Sequence, residues 1–198
     1  MQQTSLFGPI AAAVPDRHRL FFALMPDAAT RERIAGLAPA LRQRHDGGGR
    51  LIAAQRYHLT LQYLGEFHAL PEAIAERAIA AAQGLRLPSF DLTLDRAGSF
   101  RNSDIPWWLG CAQPDRGLTE LWERLGVALA KSGVRVESGH SAHAPHVTIV
   151  RQAERALPIT PIDPIAWHVD RFVLVHSLLP VHGAARYEEL GAWHLAGA

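Results

Sequence analysis

Two short segments of this sequence share a pattern of side chains that can transfer protons. They are His58–Leu61 (HLTL) and His146–Ile149 (HVTI), each with the order His, apolar residue, Thr, apolar residue. On a β-strand, residues i and i+2 point to the same face. Each His would therefore share a face with its Thr, while the apolar residues face a hydrophobic core. On a helix the same spacing turns the two side chains apart, so the pattern predicts strands.

Two such pairs are suited to acid–base catalysis at a phosphodiester. Histidine titrates near neutral pH, so one neutral imidazole can accept a proton while a protonated one donates. Two threonine hydroxyls can donate hydrogen bonds to the non-bridging phosphate oxygens as their charge shifts. We therefore identify His58 and His146 as candidate catalytic residues, and Thr60 and Thr148 as candidate phosphate-binding residues. The alternative is that each His is a partly buried strand residue, since one match among eleven histidines carries little weight.

The rest of the sequence predicts the elements that position these segments. Apolar runs and alternation predict strands at 18–24, 57–64, 90–94, 105–111, 145–150, 171–176 and 187–195. Helical periodicity predicts three helices, the first with Asp27 as its N-cap, the second over 71–83 and the third with an apolar stripe over 118–129. Because some strands alternate with helices and others follow one another directly, the order favours an α+β fold with antiparallel sheets.

Composition and charge exclude several classes of protein. The 198 residues are 48% hydrophobic and 20% charged, which suits one compact domain or two small lobes that share a core. The formal net charge is +1, so a polyanion site needs a local group of donors rather than bulk charge. Cys111 is the single cysteine, so no internal disulfide can form. With no apolar run of ~18 residues, these features predict a soluble cytoplasmic protein that does not contact a membrane.

The N-terminal segment has a different character from the rest of the chain. Residues 1–17 contain two prolines and no periodicity, which predicts a flexible arm before a single bilobal domain over 18–198. Within the arm, the segment Gln3–Phe7 (QTSLF) resembles the Q-x-S/D-L-F peptide that docks on the bacterial sliding clamp. A five-residue match often arises by chance, so the alternative is an arm with no such partner.

The two motifs and their flanks resemble a known family. From about Arg19 to Leu195 the chain is similar to the bacterial and archaeal RNA 2′,3′-cyclic phosphodiesterases, the 2′–5′ RNA ligase-like proteins of the two-histidine (2H) phosphoesterase superfamily. The matching segments include HLTLQYLG at 58–65, FDLTLDRAGSF at 90–100 and PHVTIVR at 145–151. The resemblance implies two pseudo-symmetric lobes, each an antiparallel sheet with flanking helices, around a central groove that carries both histidines.

The resemblance also implies a reaction and its participants. It implies metal-independent hydrolysis of a terminal RNA 2′,3′-cyclic phosphate to a 2′-phosphate without a cofactor, on RNA ends such as those of tRNA fragments. We expect a monomer, although the sequence itself does not reveal the oligomeric state. Weak, reversible 2′–5′ RNA ligation is a second activity of such proteins. His58 is implied as the acid that protonates the leaving 3′ oxygen, and His146 as the base that directs water. From the residues alone either histidine fits either role, because the two motifs are nearly equivalent. The alternatives are an enzyme for a small cyclic phosphate of the ADP-ribose type and a catalytically silent RNA-end binding module.

Arg151 is a further candidate phosphate-binding residue, because family members carry an arginine five residues after the second histidine. The two-residue periodicity of a strand argues against this assignment. His146, Thr148 and Val150 share one face of a regular strand, so Arg151 would point to the other face. We therefore expect the strand to end, twist or bulge near Val150; the alternative is a surface arginine.

Two further features concern the residue before the second motif and the aromatic side chains. Many relatives carry another histidine two residues before the second catalytic one, whereas this chain has Ala144 there. The sequence therefore predicts no neighbouring imidazole two residues before His146 to orient it. Four aromatic residues are candidates for stacking on a nucleobase, although aromatic residues at such positions more often belong to a core. They are Tyr63, Phe67, Trp107 and Trp108.

Overall fold

The computed structural model describes residues 16–113, 115–137, 144–181 and 183–196. The segment Gln3–Phe7 and most of the expected arm lie outside these ranges, so those expectations remain predictions. In chain order the elements are β1 (Arg17–Leu24), α1 (Ala28–Arg44), β2 (Arg50–Leu51), a 3-10 turn (Ala54–Arg56), β3 (Leu59–Phe67), α2 (Glu72–Gln83), β4 (Phe90–Ser99), β5 (Trp107–Gly110), α3 (Arg116–Lys131), β6 (His146–Arg151), β7 (Thr160–Val169), β8 (Arg171–Leu179) and β9 (Arg186–His194). The predicted α+β class is confirmed.

The strands form one hydrogen-bonded sheet with an internally repeated order. The order is β7-β4-β5-β6-β3-β1-β8-β9, and β2 pairs with β6. Neighbours along this path are antiparallel. β3 and β6 meet in the middle, so β3-β1-β8-β9 on one side corresponds to β6-β5-β4-β7 on the other. These two halves are the pseudo-symmetric lobes that the resemblance implied.

The helices pack on the sheet and enclose the hydrophobic core. α1 packs against β6 and β7, and α3 against β3 and β4. Asp27 caps α1 as predicted, since its carboxylate accepts a 2.8 Å hydrogen bond from the Thr30 backbone nitrogen. The apolar residues of the two motifs, such as Leu59 and Val147, are fully buried in this core. Within the described ranges, no helix has both the length and the apolar character needed to cross a bilayer.

β7 is the long strand that the sequence pattern did not predict. Pro161 and Pro164 lie within it, and proline cannot donate a ladder hydrogen bond, which argues against a strand. β7 lies at the edge of the sheet beside β4, where one side of its backbone needs no partner. Its register against β4 shifts near Pro164, between the pairs formed by Leu94 and Arg96.

Candidate active site

The seam between β3 and β6 brings the two His-x-Thr motifs together. Leu59 pairs with Val147 in antiparallel register. This register sets Thr148 across from His58, and His146 across from Thr60. The paired Leu and Val are fully buried, whereas the flanking His and Thr side chains are partly exposed and point to the other face. The motifs therefore meet in opposite directions around a local two-fold axis.

A cleft opens on this face of the sheet. Its lining includes His58, Thr60, Thr148 and Arg151. The rest of the lining is supplied by Arg19, Phe21, Ile52, Arg56, Tyr63, Ser177, Leu179 and Tyr187. The enclosed part measures about 170 Å³, less than the ~300–1,000 Å³ of sites that bury a whole small ligand. A cleft of this size suits one end of a longer ligand.

The backbone orients both imidazoles in the same way. Nδ1 of His58 lies 2.8 Å from the carbonyl oxygen of Arg56, and Nδ1 of His146 lies 2.8 Å from that of Ala144. A carbonyl only accepts, so Nδ1–H donates in both rings and the neutral tautomer leaves Nε2 available for proton transfer. In each motif the acceptor stands two residues before the histidine. The main chain of Ala144 thus orients His146 without a second imidazole.

Aromatic side chains pack against both histidines. The His58 ring lies 5.0 Å from that of Phe21 and 5.5 Å from that of Tyr187, measured between centroids. His146 is not among the residues that line the enclosed cleft, and its ring packs edge-on against Phe100 at 4.8 Å. These contacts restrict rotation of the rings, which preserves the direction of each Nε2.

Burial is the main influence on the pKa values of both histidines. It lowers the pKa of His58 to about 4, and positive charge at His146, Arg151 and Arg56 acts in the same direction. Burial also lowers the pKa of His146, and Arg151 adds to this effect. In both rings the carbonyl hydrogen bond opposes the shift. Because positive charge on His146 disfavours protonation of His58, protonation of the two rings is coupled.

A β-bulge in β6 brings Arg151 into the cleft. The register of β6 against β5 shifts between Thr148 and Val150. Ile149 and Val150 are consecutive and both fully buried, so the alternation of faces is interrupted there. Arg151 therefore returns to the face of Thr148 and lines the cleft. The interruption of the strand that we expected near Val150 is therefore present, as a bulge.

The aromatic residues considered for base stacking lie in different environments. Tyr63 lines the cleft. Trp107 is fully buried, and its indole nitrogen donates a 2.8 Å hydrogen bond to a main-chain carbonyl, so its proposed stacking role is wrong. Phe67 packs against the hydrophobic core. Trp108 packs against Phe100, with ring centroids 5.6 Å apart.

Sequence reasoning missed three residues that contact the candidate site. Phe21 lies in a continuous apolar run, which hides the fact that it faces the cleft. Tyr187 comes from β9, and Asp104 from the β4–β5 connection, where its carboxylate contacts Arg151. No local pattern around these residues signals their position, because long-range strand pairing brings them to the site.

The side chains of the site suit an anionic ligand. They offer imidazole nitrogens, two hydroxyls and a guanidinium group, all of which can donate hydrogen bonds to phosphate oxygens. In the part of the chain that the structure describes, no three His, Cys, Asp or Glu residues are grouped so that they could hold a metal ion.

Comparison with known proteins identifies the family. The model of the 2′-5′ RNA ligase superfamily matches residues 26–179. Over 182 residues the chain is 38% identical to the Escherichia coli (strain K12) protein named RNA 2′,3′-cyclic phosphodiesterase, covering 89% of this chain and 96% of that one. E. coli LigT in its apo form matches with a TM-score of 0.72 and 37% identity, covering 91% of this chain and 99% of that chain. The protein TT0787 of Thermus thermophilus shares the fold, with a TM-score of 0.70 and 23% identity over 90% of this chain and 98% of that chain. This chain therefore belongs to the 2′-5′ RNA ligase superfamily, as its two motifs implied.

Proposed function

We propose that this protein hydrolyses the terminal 2′,3′-cyclic phosphate of RNA to a 2′-phosphate, with His58 and His146 as the proton-transfer residues and no metal ion. The observation that carries the proposal is the meeting of the two motifs at one seam, with each Nδ1 held by a carbonyl. The E. coli relative named RNA 2′,3′-cyclic phosphodiesterase, at 38% identity, supports the choice of substrate.

The reaction needs one base and one acid on opposite sides of phosphorus. Neutral His146 takes a proton from water as the water oxygen bonds to phosphorus. Protonated His58 gives its proton to the 3′ oxygen as the bond between phosphorus and that oxygen breaks. Thr60 and Thr148 donate to the non-bridging oxygens, and Arg151 offsets their charge. The product carries a 2′-phosphate and a free 3′-hydroxyl, and proton exchange with solvent returns the two rings to their starting states.

The lowered pKa values set a condition on this mechanism. In the free protein, burial favours the neutral form of His58, which cannot act as an acid. An anionic phosphate between the rings favours protonation, while repulsion between two imidazolium ions opposes a second proton. The complex therefore holds one proton on the pair, which is the state that acid–base catalysis needs.

The assignment of acid and base is tested with a modified leaving group. A cyclic phosphate with sulfur in place of the bridging 3′ oxygen releases a thiolate, which needs little protonation. His58→Ala should recover much of its lost rate on this substrate, whereas His146→Ala should not. Recovery in His146→Ala alone would reverse the two roles.

Ligation is the same displacement with a different nucleophile. When the 5′-hydroxyl of a second RNA takes the place of water, the product is a 2′–5′ phosphodiester and His146 and His58 keep their roles. Water competes with that hydroxyl at a far higher concentration, so we propose that hydrolysis dominates.

The proposed function is tested directly with a short RNA that ends in a 2′,3′-cyclic phosphate. We expect a 2′-phosphate product, in the presence or absence of a chelator. A 3′-phosphate product, or no single-turnover hydrolysis, would contradict the proposal. Faster turnover of a small ADP-ribose cyclic phosphate than of the RNA would favour the small-ester alternative.

A further inference from the structure

The cleft extends beyond the histidines along β1 and β8. On this face, Thr60 is paired with Ala23 and Tyr63 with Phe21. Arg19 lies two residues before Phe21 on the same face of β1, and it also lines the cleft. Arg19 lies four residues from Ala23, a separation of about 13 Å along a strand. The cleft therefore has a polar end that is separated from the candidate catalytic centre by an aromatic section.

Arg19 carries donors that none of the described residues uses. Its Nε donates a 2.7 Å hydrogen bond to Oε2 of Glu66, and Nη1 of Arg17 lies 3.0 Å from Oε1 of the same carboxylate. Two guanidinium groups therefore share one carboxylate. The terminal amino groups of Arg19 have no hydrogen-bond partner among the described residues. Glu66 thus fixes one edge of the guanidinium and leaves the other edge for a ligand.

Ser177 supplies a second hydrogen-bond donor, beside Arg19 on the neighbouring strand β8. It pairs with Arg19 across the β1–β8 ladder and lines the cleft. The residue is only 4% exposed, and its hydroxyl has no hydrogen-bond partner within the described ranges. A hydroxyl at a nearly buried position gains from an acceptor that enters the cleft.

We propose that Arg19 and Ser177 form a second phosphate subsite, which binds the phosphodiester on the 5′ side of the terminal nucleotide. The inference rests on the proposed function, because the cyclic phosphate at Thr60 and Thr148 fixes the position of that nucleotide. The nucleotide then lies over the section formed by Tyr63 and Phe21. A phosphodiester stays anionic at neutral pH, and a guanidinium edge matches two of its oxygens. The subsite distinguishes an RNA end from a free mononucleotide.

The test compares two substrates that differ only in the second phosphate. These are a dinucleotide with a terminal 2′,3′-cyclic phosphate and the corresponding nucleoside 2′,3′-cyclic phosphate. Arg19→Gln should lower the ratio of their kcat/KM values by about tenfold or more, because it removes charged hydrogen bonds, and Ser177→Ala should lower it less. Arg77→Gln, at an exposed position on α2 that does not line the cleft, is the control for loss of a surface guanidinium and should leave the ratio unchanged.

A substrate with a neutral linkage tests the contact between Arg19 and the phosphodiester. With a methylphosphonate in place of the phosphodiester, the wild-type protein should lose its preference for the dinucleotide over the nucleoside cyclic phosphate. Arg19→Gln should then cause no further fall in the ratio of kcat/KM values. If Arg19→Gln lowers both kcat/KM values equally or changes neither, the subsite is refuted. Binding of the 2′-phosphate products, the dinucleotide against the mononucleotide, gives the same comparison without turnover. A failure of hydrolysis would therefore overturn the proposed function while the subsite is still tested.

Discussion

Oδ2 of Asp104 lies 2.8 Å from Nη1 of Arg151. Asp104 belongs to the connection between β4 and β5, which also supplies the Phe100 ring against His146. One short connection therefore contacts both His146 and Arg151, two candidate site residues of β6. The Arg151 and Asp104 side chains are 44% and 31% exposed, and ion pairs at such exposure contribute only ~0–1 kcal/mol to folding. We infer that the pair positions the guanidinium more than it stabilises the fold.

A double-mutant cycle tests this positioning role. Arg151→Ala should lower kcat/KM by about tenfold or more, because charged hydrogen bonds to phosphate are lost. Asp104→Ala should lower it less, mainly through KM, and should have no further effect when Arg151 is already absent. Additive losses would mean that Asp104 acts independently of Arg151. Glu120→Ala, which removes an exposed ion pair with Arg124 on α3, is the control for loss of a surface charge.

Loss of either imidazole should abolish most of the turnover. We expect His58→Ala and His146→Ala each to lower kcat by ~10² or more, since a general acid or base contributes ~10²–10⁴. This corresponds to about 3 kcal/mol of barrier. The measurement is turnover of the RNA cyclic phosphate, with circular dichroism to establish that the variants fold. His168→Ala removes an exposed imidazole from β7 and should leave turnover unchanged; full activity in either motif variant would refute the catalytic assignment.

The faces of the two motif strands can be predicted from the sequence because they depend only on neighbouring residues. The alternation in HLTL and HVTI depends only on strand geometry, so the sequence predicts which side chains share a face. The return of Arg151 to that face is a different case. Sequence counting shows that a bulge is needed, but the burial of both Ile149 and Val150 depends on packing against neighbouring strands.

Long-range pairing produces the features that the sequence did not predict. The family resemblance implied that both histidines share a groove, but not the register that pairs Leu59 with Val147 or the contact of Tyr187 with His58, which join segments far apart in the chain. Pro161 and Pro164 argue against a strand until the edge position of β7 is known. The edge of a sheet tolerates a residue that cannot donate a hydrogen bond.

The lowered pKa of His58 predicts a dependence of stability on pH. Its folded pKa is about 4, against an ordinary value of 6.5, so the unfolded chain binds more protons between these values. The free energy of unfolding should therefore fall as the pH drops from about 6.5 to about 4. His58→Asn removes this titration and should lessen the fall, as measured by urea unfolding at pH 7 and pH 4.5.

Two observations control this comparison. His68→Asn, at an exposed position between β3 and α2, should keep the acid sensitivity of the wild-type protein. NMR titration of the His58 ring in the folded protein should show a midpoint near pH 4. A midpoint near the ordinary value would contradict the prediction, whatever the unfolding curves show.

Replacing the motif threonines with valine tests the phosphate-binding hydroxyls separately from the fold. Valine keeps the β-branched shape and the strand preference of threonine, so Thr60→Val and Thr148→Val should leave the thermal unfolding midpoint nearly unchanged. Each change removes one hydroxyl donor to the phosphate, and loss of such a donor lowers kcat by ~10²–10³ in comparable sites. Serine at the same positions should restore part of the rate because it keeps the hydroxyl. Thr93→Val, at an exposed position on β4, should behave as wild type. Rates that do not change in Thr60→Val and Thr148→Val, with the histidine variants inactive, would show that the imidazoles and Arg151 hold the phosphate without the threonines.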